Sequence, residues 1–414
     1  MRAILERGSF PKKNIEINIT GSKSESNRLL ILQAQFPNIS IENLSESDDT
    51  TVLQEALKTS IGTVDIHHAG TAMRFLTAYF SAKEGVEITL TGSQRMQERP
   101  ISILVDALKS LGADIEYLKK EGFPPLKIKG KSLQNKEVKI KANVSSQYIS
   151  ALMLVAPMFP EGLKISLEGK TTSVPYIEMT LSLLKNIGIK GSFNNNEITI
   201  FSKKNIESTT LIVESDWSSA SYFYSLVALS ETCEITLVSF SEKSLQGDAA
   251  LVQIYDSLGV QTFFNTSEKT IFLSKKDTEL PDSLLLDLSS TPDLAQTIAV
   301  TCFGLGIGCK LNGLHTLKIK ETDRLLALKN EMEKLGATIQ VNEDSLNLES
   351  TSQILSNKSI ETYQDHRMAM AFAPLSLKTN LIINNAEVVS KSYPAFWEDL
   401  QKAGVKCEFT DSLK

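Results

Sequence analysis

The sequence predicts an α/β protein with two similar domains, each built from three copies of one repeated unit. Its 414 residues exceed the ~250 to 300 residues at which a single hydrophobic core stops growing. Six amphipathic segments each end on a glycine and pass into a β-prone stretch, and six segments that are apolar nearly all round alternate with them. A repeat of roughly 70 residues is too long and too mixed for the common solenoids, so three units per domain fit better.

The amphipathic segments predict surface helices that end on a left-handed residue. In LVDALKSLGADIEY, for example, an amphipathic run meets a glycine and then a β-prone stretch. Glycine adopts positive φ without a steric cost and commonly closes a helix. The six glycines are Gly62, Gly112, Gly188, Gly259, Gly336 and Gly404.

The apolar segments predict buried helices, because a helix that is apolar on all faces belongs inside a domain. They begin near residues 23, 71, 146, 217, 292 and 366, in step with the glycines. Strands are predicted between the helices, for example in VEITLTG and CEITLVSF. We expect residues 15–214 to form the first domain and residues 1–14 and 215–414 to form the second, with a crossover near LIVESDWSS.

The composition argues against several classes of protein. A content of 42% apolar and 22% charged residues is typical of a soluble globular chain. A net charge of −6 argues against a protein that coats nucleic acid or a membrane surface, since both need a basic surplus. The N-terminus lacks the features of a signal peptide, and no apolar run approaches the ~18 residues of a membrane span, so we expect a cytoplasmic protein. Four widely spaced cysteines predict reduced, buried thiols and neither disulfides nor a zinc site.

Polar and charged side chains gather at the N-terminal ends of five of the six predicted buried helices. Such an end leaves backbone N–H groups unpaired and carries a partial positive charge, so it attracts anions. Any one of these side chains could be a cap or a solvated charge, but their recurrence in a repeat favours a shared ligand. They are Lys23, Ser24, Arg28, His68, Gly70, Thr71, Arg74, Ser145, Ser146, Gln147, Asp293, His366 and Arg367.

Three further basic clusters, RMQERP, KIKETDRL and VSKSYP, predict a small ligand with several negative charges. Arginine binds carboxylate and phosphate through two parallel hydrogen bonds, and lysine adds a mobile charge. The clusters hold Arg95, Glu98, Arg99, Lys318, Lys320, Glu321, Asp323, Arg324 and Lys391.

The stretch GSKS at residues 21–24 has the ending of a nucleotide-binding P-loop. The full motif, GxxxxGK[ST], needs a glycine five residues before Gly21, and Glu16 stands there instead. The stretch therefore predicts an anion site other than a nucleotide site.

Nine short motifs together resemble those of the enolpyruvyl transferase family, and within it the members that act on shikimate 3-phosphate. In chain order they are GSKSESNR, AGTAMR, RMQERP, VSSQ, DWSSASYF, TPD, KETDR, DHRMAM and SKSYP. The resemblance covers essentially the whole chain. It implies two domains of three βαβαββ units each, joined by a double crossover, with the active site in the cleft between the domains.

The resemblance also implies a reaction. The carboxyvinyl group of phosphoenolpyruvate passes to the 5-hydroxyl of shikimate 3-phosphate and phosphate is released, on the pathway to chorismate and the aromatic amino acids. It implies that the enzyme uses neither a metal nor a cofactor. It also implies that the enzyme is a monomer with no nucleic-acid or membrane partner. Members of the family are targets of the herbicide glyphosate; Gly70 is the residue type of sensitive members, whereas His68 and Phe75 replace the usual asparagine and proline.

The motifs imply a set of binding residues for each substrate. Shikimate 3-phosphate would be held by Lys23, Ser24, Arg28, Ser145, Ser146, Gln147, Ser173, Tyr176, Asp293 and Lys320. Phosphoenolpyruvate would be held by Lys23, Gly70, Arg95, Gln147, Arg324, Arg367 and Lys391.

Addition followed by elimination needs side chains that give and take protons. We assign Glu321 to protonation of the methylene carbon and Asp293 to the sugar hydroxyl, with Lys23 and His366 acting at the phosphate and the developing charge. Glu321 and Arg324 are three residues apart and could share a helix face, and an ordinary ion pair between neighbours is the alternative role for Glu321.

Two other functions stay open at this point. An enolpyruvyl transferase acting on a UDP-amino sugar would carry a reactive cysteine in its first domain, whereas the first cysteine here is Cys233. A non-catalytic anion-binding paralogue would be expected to lose Lys23, Asp293 or Glu321, and all three are present.

Overall fold

The computed structural model describes residues 1–8, 14–141, 145–169 and 174–411. Its helices are α1 (Lys23–Gln35), α2 (Asp48–Ala56), α3 (Gly70–Ala82), α4 (Gln94–Gln97), α5 (Ser102–Ser110), α6 (Ser146–Val155), α7 (Val174–Asn186), α8 (Trp217–Leu229), α9 (Leu251–Asp256), α10 (Ala295–Leu305), α11 (Arg324–Lys334), α12 (His366–Phe372) and α13 (Phe396–Lys402). Short 3₁₀ helices cover Ala156–Met158, Gly247–Ala250, Pro292–Leu294, His315–Ile319, Ala373–Leu377 and Ala386–Lys391. None of the helices in these ranges is long and apolar enough to cross a bilayer.

Strands alternate with the helices, which confirms the predicted α/β class. In chain order they are β1 (Arg2–Leu5), β2 (Ile15–Ile17), β3 (Ile39–Glu42), β4 (Ile61–Asp65), β5 (Glu87–Thr91), β6 (Asp114–Tyr117), β7 (Leu126–Lys129), β8 (Glu137–Lys141), β9 (Leu163–Glu168), β10 (Gly191–Asn194), β11 (Glu197–Ile200), β12 (Thr209–Ile212), β13 (Glu234–Val238), β14 (Val260–Asn265), β15 (Thr270–Lys275), β16 (Ser283–Asp287), β17 (Gly308–Asn312), β18 (Ile339–Val341), β19 (Leu346–Leu348), β20 (Lys358–Ile360), β21 (Leu381–Asn384) and β22 (Cys407–Thr410).

The chain divides into two compact units. Residues 21–213 form the continuous unit, and residues 1–20 and 214–414 form the split unit. The first crossing between units lies after Thr20 rather than after residue 14, because β2 pairs in parallel with β13 of the split unit.

One sheet arrangement recurs in five of the six sheets of the described ranges: two parallel strands, then an antiparallel hairpin. In the sheet β4-β5-β7-β6, for example, β4 and β5 are parallel and β7 pairs antiparallel with both β5 and β6. With α3 after β4 and α5 after β5, this is a βαβαββ unit. In the sheet β20-β21-β1-β22 the N-terminal strand β1 takes the place of a hairpin strand, and in the sixth sheet β3 and β12 pair in parallel.

Three of the buried helices, α1, α3 and α6, lie in the continuous unit, and α8, α10 and α12 lie in the split unit. Every residue of α12 is buried, as is every residue of α8 except Ser218. The hydroxyl groups in such helices bond the backbone one turn earlier, as Thr77 does to the Met73 carbonyl at 2.7 Å. The predicted positions of the six buried helices are confirmed.

All six glycines of the predicted series have positive φ, from 77° to 116°. Five of them lie two or three residues beyond the ends of α5, α7, α9, α11 and α13, as predicted. The prediction was wrong for Gly62, which lies inside β4. The preceding helix has already ended at Ala56, where the Thr59 N–H turns back to the Ala56 carbonyl at 3.1 Å.

The four cysteines are free and buried, as the sequence predicts. Burial raises the pKa of the Cys233 and Cys407 thiols to about 12. Because the thiolate is the reactive form, these two thiols are chemically inert at neutral pH.

Candidate active site

Lys23 is the first residue of α1, in the continuous unit. The helix begins there because the Ser22 hydroxyl accepts a hydrogen bond from the Glu25 backbone N–H at 3.4 Å. The Lys23 ammonium lies 3.4 Å from a carboxylate oxygen of Asp49, on α2. An anionic ligand at this helix end would therefore compete with Asp49 for the lysine.

Arg28 is a buried cation whose hydrogen-bond acceptors in the described ranges are neutral. The guanidinium donates to the Thr180 hydroxyl at 2.8 Å, the Ser150 hydroxyl at 3.0 Å and the Ser24 carbonyl at 2.7 Å. It also lies 5.4 Å from the ring centre of Phe75 and 5.6 Å from that of Tyr176. Burial lowers the pKa of Arg28 to about 10. An anion reaching this guanidinium would supply the charge partner that these neutral groups do not.

The N-terminal end of α6 contacts that of α3. Ser145 caps α6 by accepting a hydrogen bond from the Gln147 backbone N–H at 3.3 Å. The Gln147 side-chain amide donates to the Thr71 hydroxyl at 3.2 Å, and Ser146 is buried beside them. Ser173, predicted for the same substrate, lies outside the described residues.

Two arginines converge on Gly70, the first residue of α3. A Cβ atom at this position would lie 2.8 Å from the Arg99 guanidinium and 3.1 Å from that of Arg74. Arg74 also donates to the Gly70 carbonyl at 2.9 Å. Arg95, predicted to bind phosphoenolpyruvate, is 52% exposed and lies 3.5 Å from a carboxylate oxygen of Glu98. Arg74 and Arg99 therefore lie at this helix end, although neither is in the set predicted to bind phosphoenolpyruvate.

Arg324 lies at the centre of the charged cluster of the split unit, with a side chain that is 2% exposed. It is the first residue of α11, where a positive charge is unfavourable next to the helix dipole. Three carboxylates offset this charge. The guanidinium donates to Asp293 at 2.8 Å, Glu321 at 2.9 Å and Asp365 at 2.6 Å. Burial lowers the pKa of Arg324, but these carboxylates outweigh it and hold the pKa above its usual value.

Asp293 is surrounded by three cations. Besides Arg324, the Lys320 ammonium lies 3.4 Å from one carboxylate oxygen and the Arg367 guanidinium lies 3.3 Å from the other. Burial alone would raise the pKa of Asp293, but Arg367, Lys320 and Arg324 hold it well below its usual range. Asp293 is therefore ionised at neutral pH.

Glu321 contacts Arg324, but not from the same helix. We expected the pair to share a helix face, whereas α11 begins only at Arg324 because the Asp323 carboxylate caps it. The 2.9 Å ion pair instead joins Glu321, which precedes the helix, to Arg324, its first residue. Both roles considered for Glu321 stay open, since its carboxylate has the ion pair and also borders the cluster.

Asp365 caps α12 and links its end to Arg324. One carboxylate oxygen accepts a hydrogen bond from the Arg367 backbone N–H at 2.9 Å, and the other accepts from Arg324. The Arg367 side chain donates to the Ser218 hydroxyl at 3.3 Å. His366 is buried, with its Nδ1 3.9 Å from a carboxylate oxygen of Asp365.

The structure thus brings Asp293, Lys320, Glu321, Arg324 and Arg367 into one cluster. Lys391 joins the same region of the split unit through the Gln364 carbonyl, which accepts its hydrogen bond at 2.7 Å. Asp365 was not among the site residues predicted from the sequence. The sequence does contain a signal for this residue: Asp365 stands at the start of the buried helix predicted from DHRMAM, where an aspartate is a strong cap.

Comparison with known proteins agrees with these features. The family model described as EPSP synthase (3-phosphoshikimate 1-carboxyvinyltransferase) matches residues 59–400. A 3-phosphoshikimate 1-carboxyvinyltransferase of Bacteroides fragilis (strain YCH46) is 45% identical over 409 residues, which covers 98% of each chain. One of Sulfurovum sp. (strain NBC37-1) is 36% identical and covers 93% of this chain and 96% of its own.

The fold is similar to that of an EPSP synthase from Acinetobacter baumannii, with a TM-score of 0.78 at 20% identity over 98% of this chain and 99% of the other. That likeness bears on the fold alone. With the family match and the identities above, the chain belongs to the EPSP synthase family of transferases.

Proposed function

We propose that this protein transfers the carboxyvinyl group of phosphoenolpyruvate to the 5-hydroxyl of shikimate 3-phosphate and releases phosphate. The observation that carries the proposal is the cluster around Arg324, where Asp293 and Glu321 stand beside Lys320 and Arg367. Such a cluster offers proton-transfer groups and cations together, which this reaction between two anions needs. Family membership supports the same reaction.

In the addition step, Glu321 donates a proton to the methylene carbon of phosphoenolpyruvate. The 5-hydroxyl oxygen bonds to the neighbouring carbon, and its proton passes to Asp293. In the elimination step, Glu321 takes a proton back from the new methyl group, and phosphate leaves with the proton that the hydroxyl lost. Lys23 and His366 act at the departing phosphate and the developing charge.

Substrate binding would turn Asp293 into a better base. Its pKa is held down by Arg367, Lys320 and Arg324, so it binds a proton weakly. Carboxylate and phosphate groups of the substrates would share these cations, and the pKa of Asp293 would rise as their attraction is divided. Proton removal would then be favoured mainly when both substrates are present.

Shikimate 3-phosphate would be held by the helix ends of the continuous unit together with Asp293 and Lys320. Arg28 supports this assignment because it is buried, its hydrogen-bond acceptors are neutral, and Tyr176 lies against it. Phosphoenolpyruvate would be held by residues of both units: Lys23, Gly70, Arg95 and Gln147 of the continuous unit, and Arg324, Arg367 and Lys391 of the split unit. We place the activity in the cytoplasm and in a monomer. Light scattering of the purified protein tests the oligomeric state.

The two alternatives receive less support. The family model and the relatives carry the shikimate name, which does not favour the UDP-amino-sugar reaction. Lys23, Asp293 and Glu321 are all present, and the last two form ion pairs with Arg324. These observations do not favour a non-catalytic paralogue.

Phosphate release from phosphoenolpyruvate tests the function, with shikimate 3-phosphate as acceptor and UDP-N-acetylglucosamine as the control acceptor. We expect release with shikimate 3-phosphate only. Release only with the UDP-sugar, or with neither acceptor, would overturn the proposal.

Glu321→Gln tests the proton donor. We expect kcat to fall by about 10²- to 10⁴-fold, because an amide cannot donate a proton to carbon. Glu333→Gln is the matched control, since Glu333 pairs with Lys329 on the exposed side of α11. A folded Glu321→Gln protein with the turnover of the control would leave Glu321 as a structural ion pair only.

A further inference from the structure

The turn before α12 contains two consecutive residues in the left-handed conformation, Tyr363 at φ 53° and Gln364 at φ 56°. Residues other than glycine, asparagine and aspartate rarely adopt it, because the Cβ atom crowds the backbone. The other consecutive non-glycine pair in the described ranges is Asn195 and Asn196, in the hairpin between β10 and β11, where asparagine is well suited. The turn at 363–364 therefore needs its surroundings to hold it.

A buried carboxylate on α11 holds this turn. The Tyr363 hydroxyl donates to one oxygen of Glu331 at 2.6 Å. The other oxygen accepts from the Glu361 backbone N–H at 3.0 Å and from Lys334 at 2.6 Å. Glu331 is 0% exposed, and hydrogen bonds to a buried, ionised acceptor are strong. One side chain thus anchors both sides of the turn.

This turn also sets the position of groups that bond three basic residues, two of them through their side chains. The Gln364 carbonyl accepts from Lys391 at 2.7 Å. Asp365, the next residue, accepts from the Arg324 side chain at 2.6 Å and from the Arg367 backbone at 2.9 Å. Glu331 and Arg324 are also seven residues apart on α11, which is two turns, so they lie on the same side of the helix. A reversal of the turn would displace both Gln364 and Asp365.

We propose that Glu331 and Tyr363 are positioning residues for phosphoenolpyruvate: they hold the strained turn at 363–364 and so fix Asp365, Arg324, Arg367 and Lys391. This inference rests on the proposed function, which assigns these three cations to phosphoenolpyruvate. Neither Glu331 nor Tyr363 needs to touch the substrate.

Tyr363→Phe tests the proposal by removing one hydroxyl. Loss of a hydrogen bond to an ionised group is expected to raise KM for phosphoenolpyruvate about 5- to 10-fold, with a smaller change in KM for shikimate 3-phosphate. Tyr224→Phe is the matched control, because it also removes a hydroxyl from the split unit, one that bonds Thr262 at 3.0 Å. Equal KM values in the two variants would overturn the proposal.

A rescue variant separates positioning from general stability. Glycine adopts the left-handed conformation freely, so Gln364→Gly in the Tyr363→Phe background should recover most of the lost affinity while keeping the carbonyl that Lys391 contacts. If Gln364→Gly leaves KM for phosphoenolpyruvate as high as in Tyr363→Phe alone, the result would contradict the proposal.

Hydrogen–deuterium exchange gives a readout that does not depend on turnover. We expect faster exchange at residues 361–368 in Tyr363→Phe than in wild type, and no change there in Tyr224→Phe. Unchanged exchange at 361–368 would overturn the proposal even with an active enzyme. If wild type fails to transfer the carboxyvinyl group, the proposed function falls, and the exchange measurement still decides whether Tyr363 holds the turn.

Discussion

Arg28 and Arg324 are both buried arginines, but different groups surround them. Arg28 donates to hydroxyl and carbonyl oxygens and lies against two aromatic rings. Arg324 donates to three carboxylates. A buried charge that loses its partner is far more costly than a neutral hydroxyl that loses one hydrogen bond. The two arginines therefore contribute differently to stability.

Replacing each arginine with methionine separates these contributions. Arg324→Met leaves three carboxylates without their shared cation, and we expect the free energy of unfolding to fall by about 3 to 5 kcal/mol. Arg28→Met leaves hydroxyls that can bond each other, as Thr180 and Ser150 do at 3.0 Å, and we expect a change below about 1 kcal/mol. Urea denaturation followed by circular dichroism measures both. Equal losses would contradict this account of the two sites.

Asp248 is a buried carboxyl group that faces Ser218, Asp293, Arg367 and Asp216. Burial and the nearby Asp293 raise the pKa of Asp248 to about 6, against the lowering effect of Arg367. A pKa raised on folding means that the folded state holds the proton longer than the unfolded state. The stability from this group is complete below pH ~4 and is lost as the pH rises through 6.

Asp248→Asn should remove this loss. We expect the variant to match wild type near pH 4 and to exceed it in unfolding free energy above pH 7, by at most about 3 kcal/mol. Melting temperatures of both proteins across this pH range provide the measurement. Parallel pH curves for the two proteins would show that Asp248 does not titrate in this range.

At the scale of elements, caps decide where the buried helices begin. Asp216 caps α8 by accepting a hydrogen bond from the Ser219 backbone N–H at 2.8 Å. Asparagine is as good a cap as aspartate, whereas alanine is poor.

Asp216→Ala is therefore expected to lower the free energy of unfolding by about 1 kcal/mol, and Asp216→Asn to lower it much less. Thermal denaturation of the two variants compares them directly. If asparagine and alanine destabilise the protein equally, the hydrogen bond to Ser219 is not what Asp216 contributes.

The beginnings of α1, α6, α8 and α12 could be predicted because apolar patterning and capping are local properties of the chain. Glu321 and Arg324 do not share a helix face, because α11 begins only at Arg324, where the Asp323 carboxylate caps it. The bond between Glu331 and Tyr363 joins residues 32 positions apart. No local pattern carries that information, since the packing of α11 beside the turn depends on the whole fold.

At the scale of the molecule, the residues proposed for shikimate 3-phosphate come from both units, with Arg28 in the continuous unit and Asp293 in the split unit. The proposed function therefore depends on both units.

The place of β1 between β21 and β22 has a consequence for synthesis on the ribosome. Residues 21–213 are contiguous, so the continuous unit needs no residue that is made after residue 213. The strand β1 is made before the continuous unit and must wait for strands made after it: Arg2 pairs with Asn384 and with Thr410. The split unit is therefore completed only when a strand made before the continuous unit pairs with strands made after it.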